Sequence, residues 1–124
     1  MAQSNDEIKC PIEYGLEAFG GKWKPRILCL LAEMDKLRYC EIRSEMVNVT
    51  DAVLASALKE LINDNLINRK QYGEIPPKVE YSLTEKGKSV LPILQSICEW
   101  SKAFSKDSDI NLKRCQKCDY KVEA

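Results

Sequence analysis

Hydrophobic positions recur at helical spacing along most of the chain and alternate in only one short region. Cys10-Pro11 opens a segment with this spacing, and Gly20-Gly21 ends it, because proline suits the first position of a helix and glycine suits its end. A second helix over residues 23–33 is so densely apolar that we expect it to be buried. A turn, a minimal strand at residues 37–38 and a helix over residues 39–46 follow.

The next predicted helix has the clearest two-sided pattern in the chain. Thr50 is a good N-cap, and Asp51 favours the first turn because the helix dipole attracts an acid there. Apolar residues at i, i+4, i+7 and i+8 define one face of a helix that runs to about residue 64. These residues are Leu54, Leu58, Leu61 and Ile62. The other face carries Ala55, Ser56, Lys59 and Asn63.

Two stretches of alternating apolar and polar residues, 66–72 and 78–83, predict the strands of a hairpin. Asn65 precedes them and suits the left-handed conformation that ends a helix. Residues 73–77 include two prolines, which do not fit a central ladder and therefore indicate the hairpin tip.

The last predicted helix begins at Thr84-Glu85 and carries two adjacent apolar stripes. One comprises Val90, Leu94 and Cys98. The other provides more apolar area than one small core needs, so we expect it to contact a partner helix. It comprises Ile93, Ile97, Trp100 and Phe104. Residues 1–105 are thus predicted to be one domain, and residues 106–124, which contain Cys115 and Cys118, a flexible tail.

The order of these elements predicts a mostly helical α+β fold, the winged helix-turn-helix. In this fold the second helix of the helix-turn-helix enters the major groove of DNA, and the hairpin reaches the neighbouring backbone or minor groove. A B-form major groove is about 12 Å wide and admits one helix. The helix after Thr50 has the required form, with one apolar face and one face of small polar residues.

Composition narrows the classes of function. Lys plus Arg and Asp plus Glu both number 19, which excludes a polybasic, nonspecific DNA coat but permits a local basic surface. The absence of histidine removes Ser-His and Cys-His catalysis and His-ligated metals, which leaves any catalysis to carboxylates, lysines or thiols. We expect no enzyme, no cofactor and no metal. No signal peptide or membrane span is evident, which predicts a cytoplasmic protein whose six cysteines are thiols.

Several ordered blocks resemble the HxlR family of bacterial transcriptional regulators over roughly residues 8–104. The blocks are Cys10-Pro11-Ile12-Glu13, Gly20-Gly21-Lys22-Trp23-Lys24, Leu37-Arg38-Tyr39-Cys40-Glu41-Ile42-Arg43, Leu54 to Leu61, and Ile75-Pro76-Pro77-Lys78-Val79-Glu80-Tyr81-Ser82-Leu83-Thr84-Glu85-Lys86-Gly87. The resemblance implies a homodimeric, sequence-specific DNA-binding regulator, related in architecture to the MarR type, with its terminal helices at the dimer interface. Asn65 stands where the family usually has glycine.

Candidate DNA contacts follow from the exposed faces. Ser56 and Lys59, supported by Thr50 and Asn63, are predicted to contact base edges or phosphates, although Ala55 and Ala57 leave this helix few long polar side chains. An ordinary solvated helix face is the alternative. Further cations are candidates for backbone contacts, namely Arg69, Lys70, Lys78, Lys24, Arg38 and Arg43. A dimer would favour a pseudo-palindromic operator with half-sites roughly 34 Å apart.

Cys10 is a candidate redox sensor. It precedes Pro11 at the N-cap, where free amides and the helix dipole stabilise a thiolate. The family resemblance implies that an N-terminal cysteine at this position senses thiol-reactive compounds, and a small buried residue that closes the first helix is the alternative. Cys40 is a potential partner of Cys10 across the dimer, and Cys29 and Cys98 are expected to be inert core residues.

Two other functions remain open on the sequence alone. Cys115 and Cys118 form half of a zinc or redox motif, so a thiol or metal redox protein is one alternative. A winged helix that has lost DNA binding and serves as a protein-interaction module is the other, since the overall charge is balanced and the predicted recognition helix is rich in alanine.

Overall fold

The computed structural model describes residues 10–105, and in this part of the chain five helices pack with one two-stranded sheet. The helices are α1 (Pro11–Phe19), α2 (Lys24–Met34), α3 (Tyr39–Glu45), α4 (Asp51–Asn63) and α5 (Glu85–Phe104), and the strands are β1 (Ile67–Tyr72) and β2 (Lys78–Leu83). The predicted winged helix-turn-helix, mostly helical, is confirmed. The predicted tail over residues 106–124, with Cys115 and Cys118, lies outside the described residues.

Local capping signals set the ends of the helices. Thr50 Oγ1 accepts a hydrogen bond from the backbone N–H of Val53 at 3.2 Å, and Thr84 Oγ1 accepts one from Gly87 N–H at 2.9 Å. Both threonines therefore act as N-caps. Asn65 has a φ of 63°, the left-handed conformation that the sequence predicts after α4.

The C-terminal end of α4 is tied to the start of α5 by side chains. The Thr84 hydroxyl donates to the Asn65 carbonyl at 2.6 Å, and Lys86 Nζ donates to the Asp64 carbonyl at 2.9 Å. Lys86 Nζ also lies 3.0 Å from the hydroxyl of Tyr14 on α1. These bonds satisfy carbonyls that the end of α4 leaves without helical partners, and they hold three helices together.

The core is formed by α2, α3, α4 and α5 and the base of the hairpin. Leu54, Leu58 and Leu61 are buried in it, as their helical spacing predicts. Ala57 is buried as well, because it lies next to Leu58 on the side of α4 that faces the protein interior. The minimal strand predicted at residues 37–38 is reduced to a single bridge, in which Leu37 exchanges two backbone hydrogen bonds with Tyr81.

The hairpin pairs β1 with β2 antiparallel, with Ile67 opposite Leu83 and Tyr72 opposite Lys78. Because side chains alternate between the two faces of a strand, this register divides the hairpin residues into two groups. Lys70 and Glu80 are paired on the same face as Tyr72 and Lys78. The other face carries Arg69, Gln71, Val79 and Tyr81.

Gly87 lets α5 start directly against the backbone of the β1 region. A Cβ atom at this position would overlap the carbonyl oxygen of Leu66, which also accepts the backbone N–H of Thr84 at 3.1 Å. A side chain larger than hydrogen therefore requires the backbone to move. Within residues 10–105, neither α5 nor any other helix is apolar over enough of its length to cross a membrane.

Candidate nucleic-acid interface

The outward side of α4 presents small and polar side chains. With Leu54, Leu58 and Leu61 buried, the positions opposite them on a helix of about 3.6 residues per turn are exposed. We call these positions the recognition stripe, and they are Ala52, Ser56, Lys59 and Asn63. The three polar residues that the sequence predicts as DNA contacts on this helix therefore share one face, and Ala52 extends it toward the N-terminus.

The first two turns of α4 expose methyl groups. The side chain of Val53 is 42% exposed, and Ala52 and Ala55 are exposed beside it. We call these three residues the methyl patch. Thr50, predicted to contact DNA, lies directly before it, and its hydroxyl oxygen caps the helix at Val53 N–H.

Asp51 is held by two residues of α3, which fixes the two helices of the helix-turn-helix to each other. Arg43 Nε lies 2.8 Å from Asp51 Oδ1, and the Tyr39 hydroxyl donates to the same oxygen at 2.9 Å. The hydrogen bonds from Arg43 and then Tyr39 favour the ionised carboxylate and hold the pKa of Asp51 below its ordinary value. The predicted role of Asp51 at the helix start is thus supplemented by a link to α3.

Glu60 on α4 is neutralised by Lys24 from α2. Lys24 Nζ lies 2.8 Å from Glu60 Oε1 and donates to the Glu17 carbonyl of α1 at 2.9 Å. Only 13% of the Lys24 side chain is exposed. The structure thus places Lys24, predicted as a phosphate contact, in a bridge between three helices, beside a cavity that Asn63 of the recognition stripe also lines.

The other cations that the sequence predicts as backbone contacts occupy different positions in the structure. Arg43 directs its Nε to Asp51, and about 40% of its side chain is exposed. Arg38 is exposed at the start of α3, where its backbone N–H donates to Glu41 Oε1 at 2.8 Å. Arg69 is exposed on the hairpin face opposite to that of Lys70, so these two residues do not form one group.

Lys70 and Lys78 are brought together on the hairpin by an aromatic ring. Their Nζ atoms lie 5.0 Å and 5.2 Å from the centroid of the Tyr72 ring, within the range of a cation–π interaction. The Tyr72 hydroxyl donates to Glu80 Oε1 at 3.0 Å, and this bond holds the pKa of Glu80 below its ordinary value. The sequence predicts both lysines as backbone contacts, and the register places them on one face.

Cys10 occupies the N-cap of α1, as the sequence predicts, and is exposed. The alternative interpretation, a small buried residue, is wrong within this chain. The backbone N–H of Cys10 donates to Glu13 Oε1 at 3.2 Å. Cys40 is exposed too, whereas Cys29 and Cys98, which we expected in the core, are only half-buried because each lies at the edge of its helix's buried face.

The apolar stripe predicted to form the dimer interface is exposed along α5. Trp100 and Phe104 are 65% and 74% exposed, with ring centroids 5.5 Å apart, and Ile93 and Ile97 continue the same face. On α1, Ile12 and Leu16 are exposed as well, four residues apart on one side of the helix. Both terminal helices of the described region therefore carry exposed apolar faces.

Comparisons with known proteins agree with this architecture. Residues 18–109 match the HxlR-like helix-turn-helix family. An HTH-type transcriptional regulator from Methanothermobacter thermautotrophicus is 48% identical over 100 residues, which cover 81% of this chain and 76% of the relative.

Solved structures of two regulators are similar as well. The redox regulator HypR in its oxidised form superposes with a TM-score of 0.71 at 38% identity, covering 78% of this chain and 99% of HypR. The reduced form of the transcriptional regulator YodB from Bacillus subtilis superposes with a TM-score of 0.69 at 32% identity, covering 80% of this chain and 97% of YodB. The fold, the matched residues and these relatives show that the chain belongs to the HxlR-like helix-turn-helix family of transcriptional regulators.

Proposed function

We propose that this chain is a homodimeric regulator that binds a pseudo-palindromic DNA operator through α4. The observation that carries the proposal is the recognition stripe, a continuous exposed face on the second helix of the helix-turn-helix. In this arrangement Ser56, Lys59 and Asn63 face base edges and phosphates, and the hairpin contacts the adjacent backbone.

The charges around α4 support contact with a polyanion. The carboxylates of Asp51 and Glu60 lie on the outer part of this helix, where they would repel phosphates if they were unpaired. Each has a cationic atom at 2.8 Å, supplied by Arg43 and Lys24 respectively. The Lys59 ammonium on the stripe then adds positive charge to a surface whose acids are already compensated.

Replacing Lys59 by alanine tests the role of the recognition stripe in DNA binding. We expect Lys59→Ala to weaken operator binding about tenfold, the usual cost of removing one contact to a base, and to leave the dimer intact. A fluorescent fragment from upstream of the protein's own gene, titrated at fixed salt, measures the affinity. Lys88→Ala, which removes an exposed lysine on α5, is the matched control. Equal affinities for wild type and Lys59→Ala would remove Lys59 from the interface.

The proposed dimer uses the exposed apolar face of α5. The four residues of this stripe are large and adjacent, and the apolar face of α1 lies in the other terminal element. Burial of both faces against a second copy removes apolar area from water, which is the main favourable term in association. Two α4 helices then present themselves to half-sites about one DNA turn apart, roughly 34 Å.

We further propose that Cys10 makes DNA binding sensitive to small thiol-reactive compounds. The thiol is exposed and lies at the start of the helix that carries the exposed face of Ile12 and Leu16. An adduct or an interprotomer disulfide at Cys10 would alter the packing of α1 at the dimer interface. The structural similarity to a redox regulator, HypR, supports this proposal.

The Cys10→Ser variant tests whether Cys10 is the sensor. Diamide or a quinone is expected to change the operator affinity of the wild type at least about tenfold, within the usual range of coupling free energies between sites. We expect Cys10→Ser to bind equally with and without the reagent. Cys40→Ser distinguishes the two products, since only a disulfide between these residues needs Cys40. A full response in Cys10→Ser would contradict the sensor role.

A further inference from the structure

The methyl patch occupies the part of α4 that lies deepest in a major groove when a helix-turn-helix binds DNA. The N-terminal residues of a recognition helix are the ones that contact base edges. Here those residues are Ala52, Val53 and Ala55, and all three are exposed. Val53 is a β-branched apolar residue that is 42% exposed, although it lies one helical turn before the buried Ala57.

The polar groups nearest to the patch are already engaged. Thr50 Oγ1 accepts the Val53 N–H, and Asp51 Oδ1 accepts hydrogen bonds from Arg43 and Tyr39. Asp51 is therefore directed toward α3 and not toward a cytosine amino group. The next polar side chain on the stripe is that of Ser56, one turn after Ala52. The side-chain groups that the start of α4 exposes for contact with a partner are therefore methyl groups.

Thymine is the base whose edge fits such a surface. In the major groove thymine alone carries a 5-methyl group, whereas guanine, adenine and cytosine present hydrogen-bonding groups that Arg, Asn or Glu side chains read. An apolar side chain against one of those polar groups removes water from it without replacing the hydrogen bond. A thymine methyl group against Val53 has no such cost and gains apolar burial.

We propose that the methyl patch reads thymine 5-methyl groups and that Val53 is a specificity-determining residue of this regulator. The inference rests on the proposed function, because it places α4 in the major groove. Each operator half-site then contains A·T pairs under the first two turns of α4. Discrimination against G·C pairs arises there from apolar contact and from desolvation.

Replacement of thymine by deoxyuridine is the test, because it removes the 5-methyl group and keeps every hydrogen-bonding group of the base. The operator is first obtained by selection from a random DNA library with the full-length protein. Each thymine of a half-site is then replaced singly by deoxyuridine, and affinities are measured at fixed salt. We expect about a fourfold loss for each contacted methyl group.

Two variants assign the effect to the patch. In Val53→Ala the penalty for deoxyuridine at the contacted thymine is expected to shrink toward none, and alanine maintains the helix because its helix propensity is high. Lys59→Ala serves as the matched control, since Lys59 is an exposed residue of the same helix and carries no role in reading methyl groups. We expect it to bind thymine and deoxyuridine operators with the same ratio as the wild type.

The failure of this inference is distinguishable from failure of the proposed function. A tightly bound operator whose half-sites contain no thymine, or one whose affinity is the same with deoxyuridine at every position, overturns the reading of methyl groups and leaves the regulator intact. An unaltered deoxyuridine penalty in Val53→Ala also overturns the assignment to Val53. If no DNA is selected, both proposals fail.

Discussion

The Ile97→Glu variant is expected to be monomeric and to bind the operator at least about 100-fold more weakly than the wild type, because two linked half-site contacts strengthen each other by about 10²–10⁴. Ile97 lies in the middle of the α5 stripe and is about half exposed in the protomer, so a glutamate there does not disturb the protomer core. In a dimer, the same carboxylate would be buried in an apolar interface without a partner. Loss of the dimer therefore removes the mutual support of the two half-site contacts.

Light scattering after size-exclusion chromatography measures the mass of the particle, and titration of the operator measures the affinity. Gln95→Glu is the matched control, because it adds the same charge to the same helix about 200° away from Ile97 around the helix axis. Thermal unfolding should show that both variants are folded. A dimeric Ile97→Glu variant with wild-type affinity would place the interface elsewhere.

The Gly87→Ala variant is expected to be clearly less stable than the wild type. Its new Cβ would overlap the Leu66 carbonyl oxygen, so the start of α5 must move away from the start of β1. Overpacking of this kind costs about 1–3 kcal/mol, or a fall of roughly 4–15 °C in Tm for a chain of this size. The N-cap bond from Gly87 N–H to Thr84 lies in the segment that is displaced.

Gly73→Ala provides the comparison for that measurement. Gly73 lies at the hairpin tip, and a Cβ atom there would meet nothing within 4 Å. Circular dichroism melts of the two variants under one buffer condition separate the local clash from the general effect of replacing glycine. A Tm of Gly87→Ala equal to that of Gly73→Ala would show that the α5 start has room to adjust.

Much of the fold follows from interactions within a few residues along the chain. The caps at Thr50 and Thr84 and the left-handed residue Asn65 depend on backbone groups near to them, so the sequence indicates where α4 begins and ends and where α5 begins. The alternation of apolar residues likewise predicts both strands. Helical spacing alone also predicts that Ser56, Lys59 and Asn63 share one face of α4.

The ion pairs around α4 cannot be predicted in this way. Arg43 and Asp51 belong to different helices, and Lys24 is separated from Glu60 by most of the helix-turn-helix. The sequence alone therefore predicts Lys24 as a DNA contact, whereas the structure places its ammonium group against Glu60 and the end of α1. Pairing between distant segments depends on how helices pack, and hydrophobic spacing defines the faces of a helix but not which neighbouring charge each face meets.

The sequence does not predict Ala52 and Val53 as DNA contacts, and the physical cause is a different one. Candidate contacts on α4 are ranked by their hydrogen-bonding groups, and these two residues have none beyond the backbone. The signal that could have found them is the scarcity of long polar side chains on this helix, which by itself indicates only fewer polar contacts to bases. In the structure, the exposed Val53 shows that the start of α4 carries an apolar surface.

The bonds that join the end of α4 to the start of α5 link the orientations of the two helices. Thr84 and Lys86 hold the carbonyls of Asn65 and Asp64, and α5 continues for 20 residues, about 30 Å, toward its aromatic end. If the two helices turn together, a rotation of about 10° about that end displaces α4 by roughly 5 Å, more than the rise of about 3.4 Å between successive base pairs. In the proposed dimer, small changes in side-chain packing at the end of α5 would therefore alter the distance between the two α4 helices.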